Sequence, residues 1–278
     1  MISTLKRGFM KKLLSIILIV LSAHFASAQK KESDSVLYFT SFDGVRIRYE
    51  VKGKGEAVIL VHGFIVDGES WKRGSLYQDL ITKGYRVITL DMRGNGKSDK
   101  PHSEEAYQHD AEAKDIMALA TLLKLKKYKA VGYSRGAIIT SRLLVLDKRV
   151  THVVLGGMGD NFTNPEWPRR IMFYKALMDE PVPELEGMVK YVKSSPNLDQ
   201  RALAMLQKEQ PSTSKQELAR VKKPVLVICG DRDEDNGSSE ALSKLIPKAL
   251  YVRVPGDHNN ASRTPEFSAA VISFFTSK

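Results

Sequence analysis

The chain has 278 residues, of which 42% are hydrophobic and 27% charged, and its formal net charge at pH 7 is +11. This length and apolar content are typical of one large globular domain and exclude a disordered or fibrous protein. The basic residues are interspersed with acidic ones and form no stripe with stacking aromatic residues, so we predict no nucleic-acid partner.

The first 28 residues differ in character from the rest of the chain. Four Lys or Arg residues precede the apolar run LLSIILIVLSA, and the small residues Ala-Ser-Ala follow at 26–28. A basic start, a short apolar run and a small-residue site are typical of a secretory signal peptide rather than a spanning helix. We therefore predict cleavage after Ala28, export to the periplasm or the medium, and no stable membrane anchor after cleavage.

The rest of the chain alternates between strand-like and helix-like segments. SVLYFTSF and VRIRYEVKG flank Asp43-Gly44, which predicts a β-hairpin. Six apolar runs follow, VILV, YRVITL, YKAV, VTHVVLGG, VLVIC and LYVRV, and most of them are separated by amphipathic stretches. The longest of these stretches predict helices at about 67–83 and 104–126. Apolar strands that alternate with helices predict an α/β fold, with a mostly parallel central sheet and helices on both faces.

One segment, residues 161–220, interrupts this alternation. Its runs RRIMFYKALM and ELEGMVKYV have helical apolar spacing, and no convincing strand lies between them. We predict a small helical cap inserted into a core formed by residues 29–160 and 221–278. Its large apolar side chains either wall a pocket or pack between helices, and the sequence leaves both options open: Phe162, Trp167, Met172, Phe173, Tyr174 and Met178.

Ligands of open α/β sheets bind at the carboxyl ends of the strands, so the turns there are the places to look for chemistry. The most informative turn is GYSRGA at 132–137, which lies between an apolar strand and a helix. A turn sharp enough to expose Ser134 crowds the backbone on either side. Positions 132 and 136 therefore need residues without a Cβ, and both are glycine. The helix that begins at Arg135 directs its free amides toward a developing oxyanion.

Together with HGF at 62–64, DMRGNGKSD at 91–99, GDRDED at 230–235 and PGDHNN after the last strand, this turn carries a family resemblance. The chain resembles the α/β-hydrolase superfamily over nearly all of its mature sequence. The resemblance implies a nucleophile, acid and base in the chain order Ser134, Asp233 and His258. It also implies an oxyanion hole made by the backbone amides of Phe64 and Arg135, with no cofactor and no metal.

Three assignments near this site have alternatives. Asp160 rivals Asp233 as the triad acid, because some members of the superfamily carry the acid after the preceding strand. We interpret His62 as a brace for its loop rather than a proton carrier. The Arg135 side chain is either a salt-bridged structural group or a contact for an acidic substrate.

A serine at the elbow, where dehalogenating and epoxide-opening relatives carry aspartate, favours hydrolysis through an acyl-enzyme. We predict an exported serine hydrolase, carboxylesterase-like, whose partner is a small or medium ester or another acyl substrate. Thioesters, lactones and amides stay open as substrates. The alternative hypotheses are a non-catalytic binding or carrier protein on the same fold, and a cofactor-free perhydrolase that uses the same triad. The sequence does not indicate an oligomeric state.

Overall fold

The computed structural model describes residues 36–277. The predicted signal peptide at 1–28 lies outside this range. Among the described residues, no helix combines the length and the apolar character needed to cross a bilayer.

One eight-stranded sheet organises the described chain, with the strand order β1-β2-β4-β3-β5-β6-β7-β8. Only β2 runs against its two neighbours, and the remaining pairs are parallel. The predicted mostly parallel sheet, opened by an antiparallel hairpin, is therefore confirmed. The strands are β1 (Leu37–Thr40), β2 (Arg46–Lys52), β3 (Ala57–Val61), β4 (Arg86–Leu90), β5 (Tyr128–Tyr133), β6 (Val150–Gly156), β7 (Val225–Gly230) and β8 (Ala249–Val254).

Every residue of β3, β5 and β7 is buried, because helices cover both faces of the sheet. Alternate side chains of a strand point to opposite faces, so Ile59 and Val61 pack in one apolar cluster while Val58 and Leu60 pack in another. The helices are α1 (Leu76–Thr82), α2 (Ala111–Leu122), α3 (Arg135–Leu146), α4 (Pro168–Leu177), α5 (Glu186–Ser194), α6 (Gln200–Lys208), α7 (Lys215–Leu218), α8 (Ser239–Leu245) and α9 (Pro265–Thr276). Side chains of α2, α3 and α8 join the first cluster, and those of α1 and α9 join the second.

Between β6 and β7 the described chain forms helices α4 to α7 and two short 3-10 turns. We call residues 161–220 the cap. Side chains of α4, α5 and α6 form a third apolar cluster, which includes Leu177, Val192 and Leu203 and is distinct from the two clusters on the sheet. Phe64, from the loop after β3, packs against this cluster and so links the cap to the sheet. The domain boundaries drawn from the sequence stay a prediction.

The helix predicted at 104–126 is wrong at its start, because α2 begins only at Ala111. His109 and Asp110 both have left-handed backbones, with φ of 57° and 62°, which no α-helix can continue through. Two tertiary contacts hold this irregular approach, since Arg93 donates to the Ala106 carbonyl and Arg142 Nε donates to the Asp110 carboxylate at 2.9 Å. The helix predicted at 67–83 is likewise divided, into a 3-10 turn at Gly68–Arg73 and helix α1.

Candidate active site

Ser134 lies where β5 ends and α3 begins, in a backbone conformation that disfavours side chains. Its φ is 56° and its ψ is −125°. Such a conformation costs a non-glycine residue on the order of 1–3 kcal/mol and persists only where the surroundings fix it. Here the Ser134 amide donates to the Gly156 carbonyl at 2.8 Å, and the Ser134 carbonyl accepts the Ala137 amide at 2.9 Å. The turn is therefore anchored on both sides of the serine.

The two glycines that flank this turn are sterically required. A Cβ at Gly132 would overlap the Gly136 carbonyl oxygen and the Thr140 hydroxyl. A Cβ at Gly136 would overlap the Val61 carbonyl at the end of β3. The close approach of α3 to β3 thus depends on the missing side chains, as the sequence pattern predicts.

His258 lies in the turn after β8 and connects Ser134 to an acid. Its Nε2 is 2.9 Å from Ser134 Oγ, and its Nδ1 is 3.0 and 3.1 Å from the two carboxylate oxygens of Asp233. The Tyr133 hydroxyl donates to the His258 carbonyl at 2.9 Å and fixes the turn. Because a carboxylate only accepts, Nδ1 carries the proton, which leaves Nε2 free to accept from the serine hydroxyl.

Among the candidate acids, the structure brings Asp233 to His258 and leaves Asp160 elsewhere. The Asp233 side chain is only 3% exposed. The Asp160 carboxylate instead accepts the Ser238 amide at 3.2 Å, and the Asp231 carboxylate accepts the Gly256 amide at 2.9 Å. Asp233 thus has the position that orients the imidazole.

The two amides expected to form an oxyanion hole come from the loop after β3 and the start of α3. Within residues 36–277, neither the Phe64 nor the Arg135 backbone N–H donates to a protein acceptor. A Cβ on Gly63 would stand 3.5 Å from the Ser134 Cβ, so this loop runs beside the serine. Asn95 Nδ2 holds the loop by donating to the Phe64 carbonyl at 2.5 Å. Two free, positioned donors next to a hydroxyl suit the stabilisation of a tetrahedral anion.

His62 is buried and braces the loop after β3. Its Nδ1 donates to the Gly63 carbonyl at 2.7 Å, and its Nε2 accepts the Met92 amide at 3.0 Å. Burial lowers the pKa of His62 from its ordinary value of 6.5, so the ring is neutral near pH 7. Both ring nitrogens are engaged away from Ser134, which agrees with the structural interpretation of this residue.

The segment 91–99 also has a scaffolding role. The Asp91 carboxylate accepts the Gly68 amide at 2.9 Å and the Lys97 amide at 2.8 Å. Arg93 is fully buried, and its guanidinium pairs with Asp115 at 2.6 Å and with Asp43 at 2.7 Å. These contacts tie the turn after β4 to α2 and to the hairpin at the start of the sheet.

The Arg135 side chain forms a structural ion pair with Glu112. It is 6% exposed and forms two hydrogen bonds with the Glu112 carboxylate. Its Nη2 also donates to the Leu206 carbonyl in the cap at 2.7 Å. Of the two roles left open by the sequence, this geometry supports the salt-bridged one.

A cavity of about 430 Å³ opens over Ser134 and His258, between the sheet and the cap. Phe64, Ile138 and Trp167 contribute to its apolar wall. Of the cap side chains proposed as wall residues, Trp167 and Phe173 line the cavity, whereas Tyr174 and Met178 pack in the cap cluster. Three arginines that the sequence did not single out also line it, Arg169, Arg170 and Arg263. No motif signalled them, because they meet only through the tertiary fold.

One group of potential metal ligands comes together in the described part of the chain. Ligand atoms of Asp233, Asp235 and His258 lie within 4.8 Å of one another. Asp233 and His258 already bond to each other, and His258 also bonds to Ser134. Cys229, the single cysteine, is buried in β7, 3.6 Å from the Tyr251 hydroxyl.

Comparisons with known proteins agree with this architecture. Residues 56–186 match the family model described as alpha/beta hydrolase fold. A 2-hydroxy-6-oxo-6-(2'-aminophenyl)hexa-2,4-dienoic acid hydrolase from Metapseudomonas resinovorans is 31% identical over 173 residues, which cover 61% of this chain and 57% of that relative. An AB hydrolase superfamily protein from Bacillus subtilis, YisY, is 27% identical over 70% of this chain and 81% of its own length.

A similar fold is found among solved structures. The crystal structure of bromoperoxidase from Bacillus anthracis has a TM-score of 0.73 with this chain at 24% sequence identity. The match covers 87% of this chain and 100% of that structure. Because the match covers most of this chain, the likeness extends to the fold as a whole.

Proposed function

We propose that this chain, which has the α/β-hydrolase fold, is a serine hydrolase of that superfamily that cleaves small or medium carboxylic esters. The observation that carries the proposal is the hydrogen-bonded series from Asp233 through His258 to Ser134. Serine is inert without an adjacent base, and this series supplies one in the orientation that the reaction needs.

In the proposed reaction, Ser134 Oγ attacks the ester carbonyl while His258 Nε2 takes the hydroxyl proton. The carbonyl oxygen becomes an anion that accepts hydrogen bonds from the Phe64 and Arg135 amides. Asp233 stabilises the imidazolium cation that forms. As the tetrahedral intermediate collapses, His258 gives the proton to the departing alcohol and an acyl group remains on Ser134.

The second half of the proposed reaction regenerates the enzyme. Water attacks the acyl carbonyl as His258 Nε2 removes one of its protons, and the same two amides stabilise the second oxyanion. Collapse returns the proton to Ser134 Oγ and releases the carboxylic acid. The cavity volume of about 430 Å³ lies within the range of pockets that bind small molecules, which supports a small or medium substrate.

Labelling with a fluorophosphonate tests this proposal, since the reagent reacts with activated serines. We expect one covalent adduct on Ser134 and turnover of short-chain esters, measured beside thioester, lactone and peptide substrates. A binding or carrier protein on the same fold has no need of an activated serine. Absence of labelling in folded, purified protein would favour that second class.

Perhydrolysis is the other reaction we propose to test on the same triad, because one protein of similar structure is called a bromoperoxidase. Here hydrogen peroxide replaces water in the attack on the acyl-enzyme and releases a peracid. The experiment supplies acetate ester and hydrogen peroxide and measures peracetic acid directly. A peracid yield no higher than that from the Ser134→Ala variant excludes this reaction.

We also propose that the protein is exported, from the leader-like composition of residues 1–28. Cleavage after Ala28 gives a mature chain that begins at Gln29. Mass spectrometry of the N-terminal peptide, from cell envelope and medium, tests the site. An intact leader in the membrane fraction would overturn the cleavage.

A further inference from the structure

The cavity over Ser134 is lined by three arginines without an acidic partner. Within residues 36–277, Arg169, Arg170 and Arg263 form no ion pair with a carboxylate. Resting on the proposed ester hydrolysis, we propose that the cavity selects esters whose acyl or alcohol part carries a carboxylate. An ionised carboxylate is the natural complement of a guanidinium, which binds it through two parallel hydrogen bonds.

Arg170 is held in place by neutral groups, so its positive charge is not cancelled. Its Nη1 donates to the carbonyls of Gln207 and Lys208 at 3.0 and 2.6 Å, and its Nη2 donates to the Pro165 carbonyl at 2.6 Å. Its Nε is buried and donates to no acceptor in the structure. The cap therefore fixes a cation at the cavity wall.

The other two arginines come from opposite sides of the cavity. Arg169 belongs to α4 in the cap, and its guanidinium stacks on the Phe173 ring at 5.0 Å from the centroid. Arg263 belongs to the 3-10 turn that follows His258, on the core side, and is exposed. A substrate above Ser134 thus has positive charge on both its cap side and its core side.

The remaining lining residues strengthen this bias toward an anion. Asp235 is the acidic residue that lines the described cavity, and it is exposed, while the Arg135 charge is matched by Glu112. Arginines therefore outnumber acidic residues on the described wall of the cavity.

The physical effect of this arrangement is largest inside the cavity. A cleft lined by one sign of charge with low-dielectric walls focuses the electrostatic potential and concentrates ions of the opposite sign. A charge-assisted hydrogen bond to a guanidinium is worth about tenfold to a hundredfold in binding. The preference for a charged ester over its neutral equivalent should fall in that range.

Two matched pairs of substrates test the inference. The first pair compares monomethyl glutarate with the methyl ester of glutaric acid monoamide, which has the same shape and no charge. The second pair, acetoxyacetate and acetoxyacetamide, moves the charge to the alcohol side. In at least one pair we expect kcat/KM for the acid to exceed that for the amide by about tenfold or more.

Arginine variants then assign the preference to residues. Arg169→Gln and Arg263→Gln should each reduce the acid-to-amide ratio of kcat/KM several-fold, and the double variant should reduce it further. Arg201→Gln is the matched control, because Arg201 is an exposed cap arginine that does not line the cavity and, within residues 36–277, bonds only to Met178 Sδ. This control should leave both the ratio and the turnover unchanged.

A labelling experiment separates this inference from the proposed function. Glutarate should slow fluorophosphonate labelling of the wild type, and do so less in Arg263→Gln. If Ser134 is labelled but the amides are hydrolysed as well as the acids in both pairs, the charge selection is wrong and the serine hydrolase stands. If Ser134 is not labelled in folded protein, the proposed function itself fails.

Discussion

The Glu112 carboxylate binds the guanidinium of Arg135, the residue that directly follows the serine at the end of β5. Both side chains are nearly inaccessible to solvent, with 2% and 6% of their surfaces exposed. The pair therefore joins α2 to the start of α3 beneath the cavity, and the Arg135 contact with Leu206 extends the connection into the cap.

Breaking this pair from one side should destabilise the fold strongly. Glu112→Gln leaves a buried guanidinium without its counter-charge, so we expect the free energy of unfolding to fall by about 3 kcal/mol. Urea denaturation measures this change in the free energy of unfolding. Glu240→Gln is the matched control, since Glu240 forms an exposed pair with Lys244 and should change stability by less than about 0.5 kcal/mol. Equal effects at both sites would contradict the structural role of the pair.

Replacing Ser134 should separate chemistry from stability. Ser134→Ala should abolish fluorophosphonate labelling and lower ester turnover by more than about 10³-fold, because the nucleophile is gone. Ser134→Gly should be equally inactive yet more stable than Ser134→Ala by about 1 kcal/mol, since glycine tolerates a φ of 56°. Thermal denaturation of the two variants checks the second statement, and a glycine variant no more stable than the alanine one would contradict the strained elbow.

The choice between the two acids is decided by a pair of matched variants. Asp233→Asn keeps the shape but leaves the imidazole in the wrong tautomer, and the trypsin-type triad, an established precedent, loses on the order of 10⁴ in turnover. Asp160→Asn should cost little, because Asp160 contacts the Ser238 amide rather than His258. Measuring the turnover of one ester by both variants is sufficient to compare them. A large loss for Asp160→Asn beside a small one for Asp233→Asn would reverse the assignment.

His62 should make the fold sensitive to acid. Its pKa is lowered by burial in the folded protein, so the unfolded chain binds a proton more readily. The stability from this group is complete above the unfolded pKa of about 6.5 and is lost as the pH falls toward the folded pKa. We therefore expect His62→Gln to reduce the fall in melting temperature between pH 8 and pH 5.

The elbow glycines should tolerate no side chain. Gly136→Ala should lower the free energy of unfolding by several kcal/mol or prevent folding, because the new methyl group overlaps the backbone of β3. Gly187→Ala, in α5, is the matched control: nothing lies within 4 Å of its Cβ position. That variant should be neutral or slightly stabilising. Normal expression and melting of Gly136→Ala would mean that α3 does not lie against β3 as described.

The sequence predicted the sheet well because several of its parallel strands are apolar along their length and are separated by helices. β3, β5 and β7 are buried on both faces, so their continuous apolar runs identify them clearly as strands of a parallel sheet. The start of α2 was missed for a different reason. Residues 104–110 have ordinary helical composition, and side chains from elsewhere in the chain, among them those of Arg93 and Arg142, hold them in turns.

The sequence predicted those residues of the candidate site that directly follow a strand. Ser134, Asp233 and His258 all follow strands at one edge of the sheet, and the structure brings them together. Asp160 stayed a rival because it too follows a strand, β6, and the choice depends on where each turn directs its carboxylate. The arginines around the cavity could not be predicted, since the cap and the turn after His258 meet only in the folded chain.

His258 follows β8, the last strand in the described part of the chain, and lies 124 residues after the serine it contacts. A growing chain that has already formed β5 and α3 therefore presents Ser134 without a base. On the proposed function, the serine gains its base only when β8 has been synthesised and has paired with β7. The order of the strands therefore keeps the proposed nucleophile without its base until β8 is in place.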